Sequence, residues 1–285
     1  MPIFKDGQLD RRWIFLMMFL VVAAPILFQL TFPEKPSPKV LDLFAAIDRL
    51  PDGSRVFVAC DYDPASAGEL QPMIFAFVRH CAEKNHKMIF MALWPQGVSV
   101  IKQSEEILNE EYPAYKYGTD YVNFGYQPGN EVVLKVLVND FKKQCKNDVN
   151  GTSVSDLPLT ASLTKIQQLD LVISVSTGNP GTTEWVQYVA SPYGVRMVAG
   201  TTAVQAPSLY PYMPRQLIGV LGGIKAAAEY EQTIIEKYPA LKENQGAREG
   251  LRRMGPQLLG HLLIVGLIVL GNILHFSEKR KGAGR

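Results

Sequence analysis

Two aspartates, Asp61 and Asp63, stand two residues apart directly after the apolar run 55–60. Carboxylates at this spacing can supply a nucleophile and an acid–base group for phosphoryl transfer assisted by Mg²⁺. A later apolar run ends in Ser176 and Thr177, whose hydroxyls can bind a phosphate. The pattern therefore allows a Mg²⁺-dependent phosphohydrolase with Asp61 and Asp63 as candidate catalytic residues.

Other residues argue against that chemistry. Pro64 and Ala65 replace the Thr or Val expected between such aspartates and their helix, and no later acidic pair completes a metal site. We therefore interpret the two aspartates as caps of the first domain helix and its turn. We predict no metal and no cofactor, and we favour a protein that is not an enzyme.

A second set of polar residues follows the predicted strands. Ligands of parallel sheets bind beyond the carboxyl ends of the strands, where helices begin. The segment 177–183 is a glycine-rich turn, but it lacks the lysine of a P-loop and the spacing of a dinucleotide site, so we interpret it as a tight turn. The candidate ligand-binding residues are Ser66, Trp94, Thr177, Asn179, Thr201 and Thr202.

The elements that position these residues alternate between short apolar strands and helices. Ser66 and Glu69 match a capping box at the first of the domain helices. The pattern predicts one Rossmann-like α/β domain over 55–239, with a mostly parallel sheet covered by helices on both faces. Its predicted strands are 55–60, 87–94, 117–125, 170–176 and 195–199. Its main predicted helices are 66–84, 98–111, 131–145, 183–190 and 215–238.

Two uncharged apolar segments flank this domain, at 13–32 and 258–276. Each has about the 20 residues that a helix needs to cross a bilayer. We predict a two-pass membrane protein with a transmembrane helix at each side of the domain. The remaining segments are short tails at 1–12 and 277–285, a linker with a lead-in helix at 33–54, and a basic linker at 240–257.

The orientation follows from loop length more than from charge. Basic residues nearly balance on the two sides of the apolar segments, whereas the intervening segment exceeds 200 residues, and long segments cross membranes largely regardless of charge. We predict cytoplasmic termini and an extracytoplasmic domain, with the lipid bilayer as one partner.

The overall charge and the cysteine content further restrict the partners and bound groups that we expect for this protein. The net charge is +2, without the basic field that nucleic-acid binding requires, so we predict no nucleic-acid partner. Cys60, Cys81 and Cys145 lack metal-ligand spacing and are predicted to be buried thiols, with a Cys60–Cys81 disulfide as the alternative. His80 and His86 flank the end of the first domain helix and are predicted to be surface residues or charge partners of the helix C-terminus.

Two features suggest a protein partner. Gly219, Gly223 and Ala227 place small residues along the predicted helix 215–238, which favours close packing on the sheet or, alternatively, a helix–helix interface. Tyr210 and Tyr212 lie in a proline-punctuated loop. The leading hypothesis is a membrane-anchored assembly protein that binds itself or another membrane protein. The alternatives are a small-ligand sensor and the phosphohydrolase.

Overall fold

The computed structural model describes residues 4–5, 8–9 and 11–282, with side chains for 11–276. The chain divides into two compact units. One unit joins the residues up to Pro33 with those from Leu251 onward, and the other runs from Glu34 to Gly250. The α/β domain is the second unit.

The domain is built on one parallel sheet, as predicted. Six strands pair in parallel throughout, in the spatial order β3-β2-β1-β4-β5-β6, which is the order of doubly wound Rossmann folds. The strands are β1 Arg55–Asp61, β2 Lys87–Ala92, β3 Tyr121–Tyr126, β4 Leu171–Ser176, β5 Met197–Thr201 and β6 Gly219–Gly222.

Helices cover both faces of the sheet, which explains why the strands are apolar runs rather than alternating patterns. On one face, α2 (Pro38–Asp48), α3 (Ala67–Glu83), α4 (Gly97–Glu111) and α10 (Gly223–Lys237) pack together. The ring of Phe77 on α3 meets that of Tyr230 on α10, with centroids 5.0 Å apart.

The opposite face is covered by shorter helices. These are α5 (Glu131–Leu137), α6 (Phe141–Gln144) and a helical segment made of α7 (Thr182–Trp185), a π-helix at Val186–Ala190 and α8 (Ser191–Tyr193). A further short helix, α9 (Ala206–Leu209), follows β5. Phe57 of β1 contacts Trp185 and Phe141 on this face, with ring centroids at 5.2 and 6.5 Å. Trp185 is fully buried at the centre of this core.

Three predicted elements differ in the structure. The third strand begins at Tyr121 rather than at 117, because Tyr117 forms only an isolated bridge to Tyr121 and residues 118–120 form a turn between them. The helix predicted over 131–145 is two helices: α5 ends at Leu137, and Asp140 opens α6 by accepting a hydrogen bond from the backbone N–H of Lys143 at 3.0 Å. The predicted capping box is also absent, since the Ser66 side chain makes no capping bond.

The helix predicted over 215–238 is wrong in its first part. Gly219–Gly222 is the sixth strand, and the helix begins only at Gly223. A Cβ at Gly219 would lie 2.6 Å from the Cβ of Leu43 on α2, so glycine permits close packing there. Gly223 has φ +75°, which favours glycine at the strand-to-helix turn. With Ala227 also buried, these small residues pack inside the domain and expose no helix face.

The other unit contains two apolar helices, α1 (Arg11–Leu27) and α11 (Glu249–Gly282). Within the described residues, one helix is long and apolar enough to cross a membrane, at Gln245–Phe276. The predicted first span is shorter than expected, because α1 ends at Leu27 after 17 residues rather than at Phe32. The structure thus supports the C-terminal one of the two predicted spans.

Close packing at the start of α4 gives a stability prediction. A Cβ at Gly97 would lie 2.0 Å from the carbonyl oxygen of Cys60, whereas a Cβ at Gly68 on α3 meets nothing within 4 Å. Gly97→Ala should lower the free energy of unfolding by about 1–3 kcal/mol through overpacking. Gly68→Ala should raise it by up to about 1 kcal/mol, since alanine favours the helix.

Urea denaturation of both full-length variants in detergent, followed by circular dichroism, checks this pair. An unchanged midpoint for Gly97→Ala would contradict the close packing of α4 against the end of β1.

Candidate functional site

The predicted ligand-binding residues meet at the carboxyl edge of the sheet. Strand order reverses between β1 and β4, and doubly wound folds bind ligands at such a reversal. The N–H of Thr177, just after β4, donates to the carbonyl of Asp61 at 3.0 Å. Asp61 and Thr177 are therefore neighbours at this edge, while Trp94 follows the end of β2 and Thr201 ends β5.

Asp61 is an internal cross-link. Its side chain is fully buried, and its carboxylate accepts hydrogen bonds from the Leu93 N–H at 2.5 Å and the Trp185 indole N–H at 3.3 Å. Burial raises the pKa of Asp61 to about 7, an effect that these two donors partly oppose. Asp61 thus joins β1 to the end of β2 and to α7, and it does not cap the first helix, contrary to our interpretation.

Asp63 has the capping role expected of it. Its carboxylate accepts a hydrogen bond from the Ser66 N–H at 3.0 Å, which closes the turn before α3. Glu69, the other half of the predicted capping box, instead accepts from the Ala203 N–H at 2.9 Å. The two carboxylates predicted to act together, Asp61 and Asp63, therefore serve separate parts of the fold.

The turn 177–183 uses its N–H groups internally. Gly181 N–H donates to the Glu184 carboxylate at 2.7 Å, and Thr182 N–H donates to the Ser176 hydroxyl at 2.8 Å. A Cβ at Gly181 would lie 2.8 Å from that hydroxyl oxygen, so the turn is tightly closed. This agrees with the tight turn that we predicted, although Asn179 at its tip is exposed.

Two of the remaining predicted ligand-binding residues, Trp94 and Thr201, also have internal partners. Trp94 is half-buried and donates its indole N–H to the Pro180 carbonyl at 2.7 Å. Thr201 is buried and donates to the Ser176 carbonyl at 3.0 Å, which ties β5 to β4. Ser66 and Thr202 are half-buried at the same edge. Internal hydrogen bonds therefore tie the strand ends and turns together at this edge. Ser66 and Thr202 form a half-exposed polar surface above them.

The tyrosine loop contributes one exposed ring. Tyr210 is 39% exposed, and the ammonium of Lys39 lies 4.0 Å from its ring centroid. Tyr212 is half-buried and packs against the core beneath the loop. Val204, just before the loop, is 88% exposed and is the most exposed large apolar side chain described in the chain.

A buried polar network joins α2, α3 and α10, and no sequence pattern predicted it. His80 is fully buried, stacks on Phe44 with centroids 4.5 Å apart, and shares a 2.6 Å hydrogen bond with the Tyr230 hydroxyl. Its other ring nitrogen lies 3.6 Å from Asp48, which binds the Lys237 ammonium at 2.6 Å. The prediction that His80 is at the surface is therefore wrong.

His86 is likewise buried, and one ring nitrogen lies 3.2 Å from the Ile47 carbonyl. Both histidines are packed inside the domain. Their neighbours in sequence are polar, and for that reason the sequence pattern did not indicate their burial. Cys60, Cys81 and Cys145 are buried free thiols, as predicted. Within the described residues, no cluster of three His, Cys, Asp or Glu side chains has a metal-binding arrangement.

Two buried glutamates on α10 hold the connections at both ends of the domain. Glu229 accepts a hydrogen bond from the Ser37 N–H at 2.9 Å, and Glu231 accepts one from the Gly250 N–H at 2.9 Å. These side chains are 5% and 3% exposed. Both glutamates lie among the buried residues of the amphipathic helix α10. A charged residue on the apolar face of a helix was the only sequence feature that could have indicated that these carboxylates bind the backbone.

Comparisons with protein-family models, with curated proteins and with solved structures found no match to this chain.

The two aspartates give a matched stability test. Asp61→Ala leaves the N–H groups of Leu93 and Trp185 without their acceptor, so we expect it to lower the free energy of unfolding by about 2–5 kcal/mol. Asp63→Ala removes one local turn bond and should cost only about 1 kcal/mol. Chemical denaturation of the full chain at neutral pH compares them, and equal losses would refute the cross-linking role of Asp61.

The histidine network gives a prediction about pH. Burial lowers the pKa of His80 from 6.5 to about 4, so the unfolded chain binds more protons than the folded chain between these values. The contribution of His80 to stability therefore falls as pH falls through this window, by about 2 kcal/mol between roughly pH 7 and 5.

His80→Gln should lose less stability than the wild type over this interval, whereas His275→Gln, outside the domain, should behave as the wild type. Asp61 titrates with the opposite sign in the same window, because its pKa is raised, so the comparison is between variants at each pH. The same acid-induced loss in His80→Gln and in the wild type would contradict the prediction.

Proposed function

We propose that this chain is a two-pass membrane protein whose α/β domain acts as an assembly module, associating with a second copy or with another membrane protein. In this proposal both termini are cytoplasmic and the domain is extracytoplasmic. The function is docking rather than catalysis.

The main observation behind this proposal is that the segments leading into and out of the domain are both hydrogen-bonded to one helix, α10. Ser37 follows the first apolar segment and Gly250 precedes the second, and both backbone N–H groups bind carboxylates two residues apart on α10. Both connections thus reach α10 within one helical turn, which keeps the two ends of the domain close enough for attachment to a single bilayer. A domain with one anchor has no comparable need to fix its other end.

Further contacts reinforce the second connection. Arg79 on α3 makes two hydrogen bonds to Glu111, at 2.8 and 2.6 Å, and a third to the Gly246 carbonyl at 3.1 Å. Asn244 donates to the same Glu111 carboxylate at 2.7 Å. The guanidinium group is nearly fully buried, so this segment is held by charge-assisted bonds shielded from water.

The apolar helices support insertion into a bilayer. Phe15, Phe19 and Leu27 on α1 are 66–77% exposed, and eight large apolar residues of α11 between Leu262 and Phe276 are 41–60% exposed. The uncharged part of α1, residues 13–27, has 15 residues and is about 22 Å long, which is shorter than a helix that spans a bilayer by itself. The uncharged sequence continues to Phe32, which extends the apolar length of this segment.

The state of the strand edge favours docking over catalysis. Asp61 is enclosed and bound by two N–H groups, so it cannot contact a substrate without rearrangement of the sheet edge. Val204 and Tyr210, in the segment that follows β5, instead expose apolar side chains to solvent. Exposed apolar side chains can take part in protein-binding surfaces.

Small-ligand sensing is the second candidate. The observation that favours it is the half-exposed polar surface at the strand reversal, where Asp63, Ser66, Thr177 and Thr202 remain accessible to solvent. A ligand there would bind above the closed turn rather than within it.

Self-association is tested by size measurement of the full chain in lipid nanodiscs and by cross-linking in native membranes. We expect the wild type to form an oligomer, and Val204→Asp to weaken it at least about tenfold, the effect of about 1.4 kcal/mol. Val149→Asp, at another exposed valine (51%), is the matched control and should associate normally. A wild type that is monomeric and captures no membrane protein would contradict the proposal.

A further inference from the structure

A groove lies between the two apolar helices. Its volume is about 460 Å³, within the usual range of ligand-binding pockets, and all seven lining residues are apolar. Trp13 and Met17 of α1 face Leu270 and Gly266 of α11 across it. A Cβ at Gly266 would meet nothing within 4 Å, so this glycine leaves open space along the groove.

The two helices run antiparallel along this groove. Gly260 of α11 lies beside Val22, where an added Cβ would be 3.8 Å from the valine side chain, and Gly255 lies beside the carbonyl of Leu30. Trp13, near the start of α1, lines the groove with Leu270, far along α11. The groove therefore extends toward the end of the unit where α1 begins.

Two arginines lie at that end. Arg11 and Arg12 form the exposed first turn of α1, directly before Trp13. The segments 1–12 and 277–285 together contain seven Lys or Arg and three Asp or Glu, a balance of +4 in a chain whose net charge is +2. The sequence thus places its basic excess in the tails, and Arg11 and Arg12, the part of it with described side chains, lie at the end of the groove where α1 begins.

We propose that this groove binds an anionic phospholipid, with an acyl chain beside Gly266 and the phosphate near Arg11 and Arg12. Charge complementarity favours this occupant over a helix from a second copy. An anionic phosphate would pair with Arg11 and Arg12, whereas an apolar helix would offer these arginines no opposite charge. Basic pockets between membrane helices bind anionic headgroups by the same physics. The inference rests on the membrane insertion proposed above.

The test reconstitutes the full chain in vesicles of phosphatidylcholine and phosphatidylglycerol in equal parts, extracts it in mild detergent and identifies retained lipid by native mass spectrometry. We expect phosphatidylglycerol to be retained in preference to phosphatidylcholine. Gly266→Leu should remove most of the retained lipid by filling the groove. Gly271→Leu is the matched control, since Gly271 is equally open but does not line the groove.

The headgroup contact has its own pair of variants. Arg11→Gln should reduce the preference for phosphatidylglycerol about fivefold, the contribution of one basic residue near an anionic surface. Lys35→Gln removes an equal charge at an exposed position near the other end of the first apolar segment and should leave the preference unchanged.

Equal retention of the two lipids, or retention unchanged by Gly266→Leu, would overturn the inference while leaving the membrane proposal intact. A chain that floats free of the vesicles, or is removed from them by alkaline carbonate, would refute the membrane proposal and this inference with it.

Discussion

The structure depends on two buried carboxylates, Glu229 and Glu231, that bind the backbone at the two ends of the domain. A buried charge is costly unless hydrogen bonds compensate it, so these glutamates favour the conformation that brings Ser37 and Gly250 to α10. The helix itself is held by its packing on α3 and by the Tyr230–His80 bond. Both connections are therefore coupled to the core of the domain.

At the carboxyl edge of the sheet, too, buried polar side chains form hydrogen bonds within the fold. Asp61, Ser176 and Thr201, which an enzyme of this fold would use for a ligand, bond to neighbouring strands and turns instead. The raised pKa of Asp61 follows from its enclosure, and enclosure removes it from any substrate. A perturbed carboxyl at a strand end is thus a structural cross-link in this protein.

Sequence patterns predicted the parallel sheet because five of its strands are continuous apolar runs that only a doubly covered sheet explains. They failed at Gly219–Gly222, where glycines needed for contact with Leu43 resemble a small-residue helix face. They also failed at His80 and Asp61, because partners distant in sequence decide whether such groups are buried. Local sequence patterns indicate whether a segment is a helix or a strand. The geometry of a site depends on contacts between residues that are distant in sequence.

The most direct test of the two-anchor account is the sidedness of the chain in sealed vesicles. Gly7→Cys and Gly284→Cys report the two tails and Ser155→Cys reports the domain, against native cysteines that are all buried. An impermeant thiol reagent should label both tail cysteines from one side and the domain cysteine from the other. Labelling of Gly7→Cys from the same side as the domain would show that the first apolar segment does not cross, and would contradict the account.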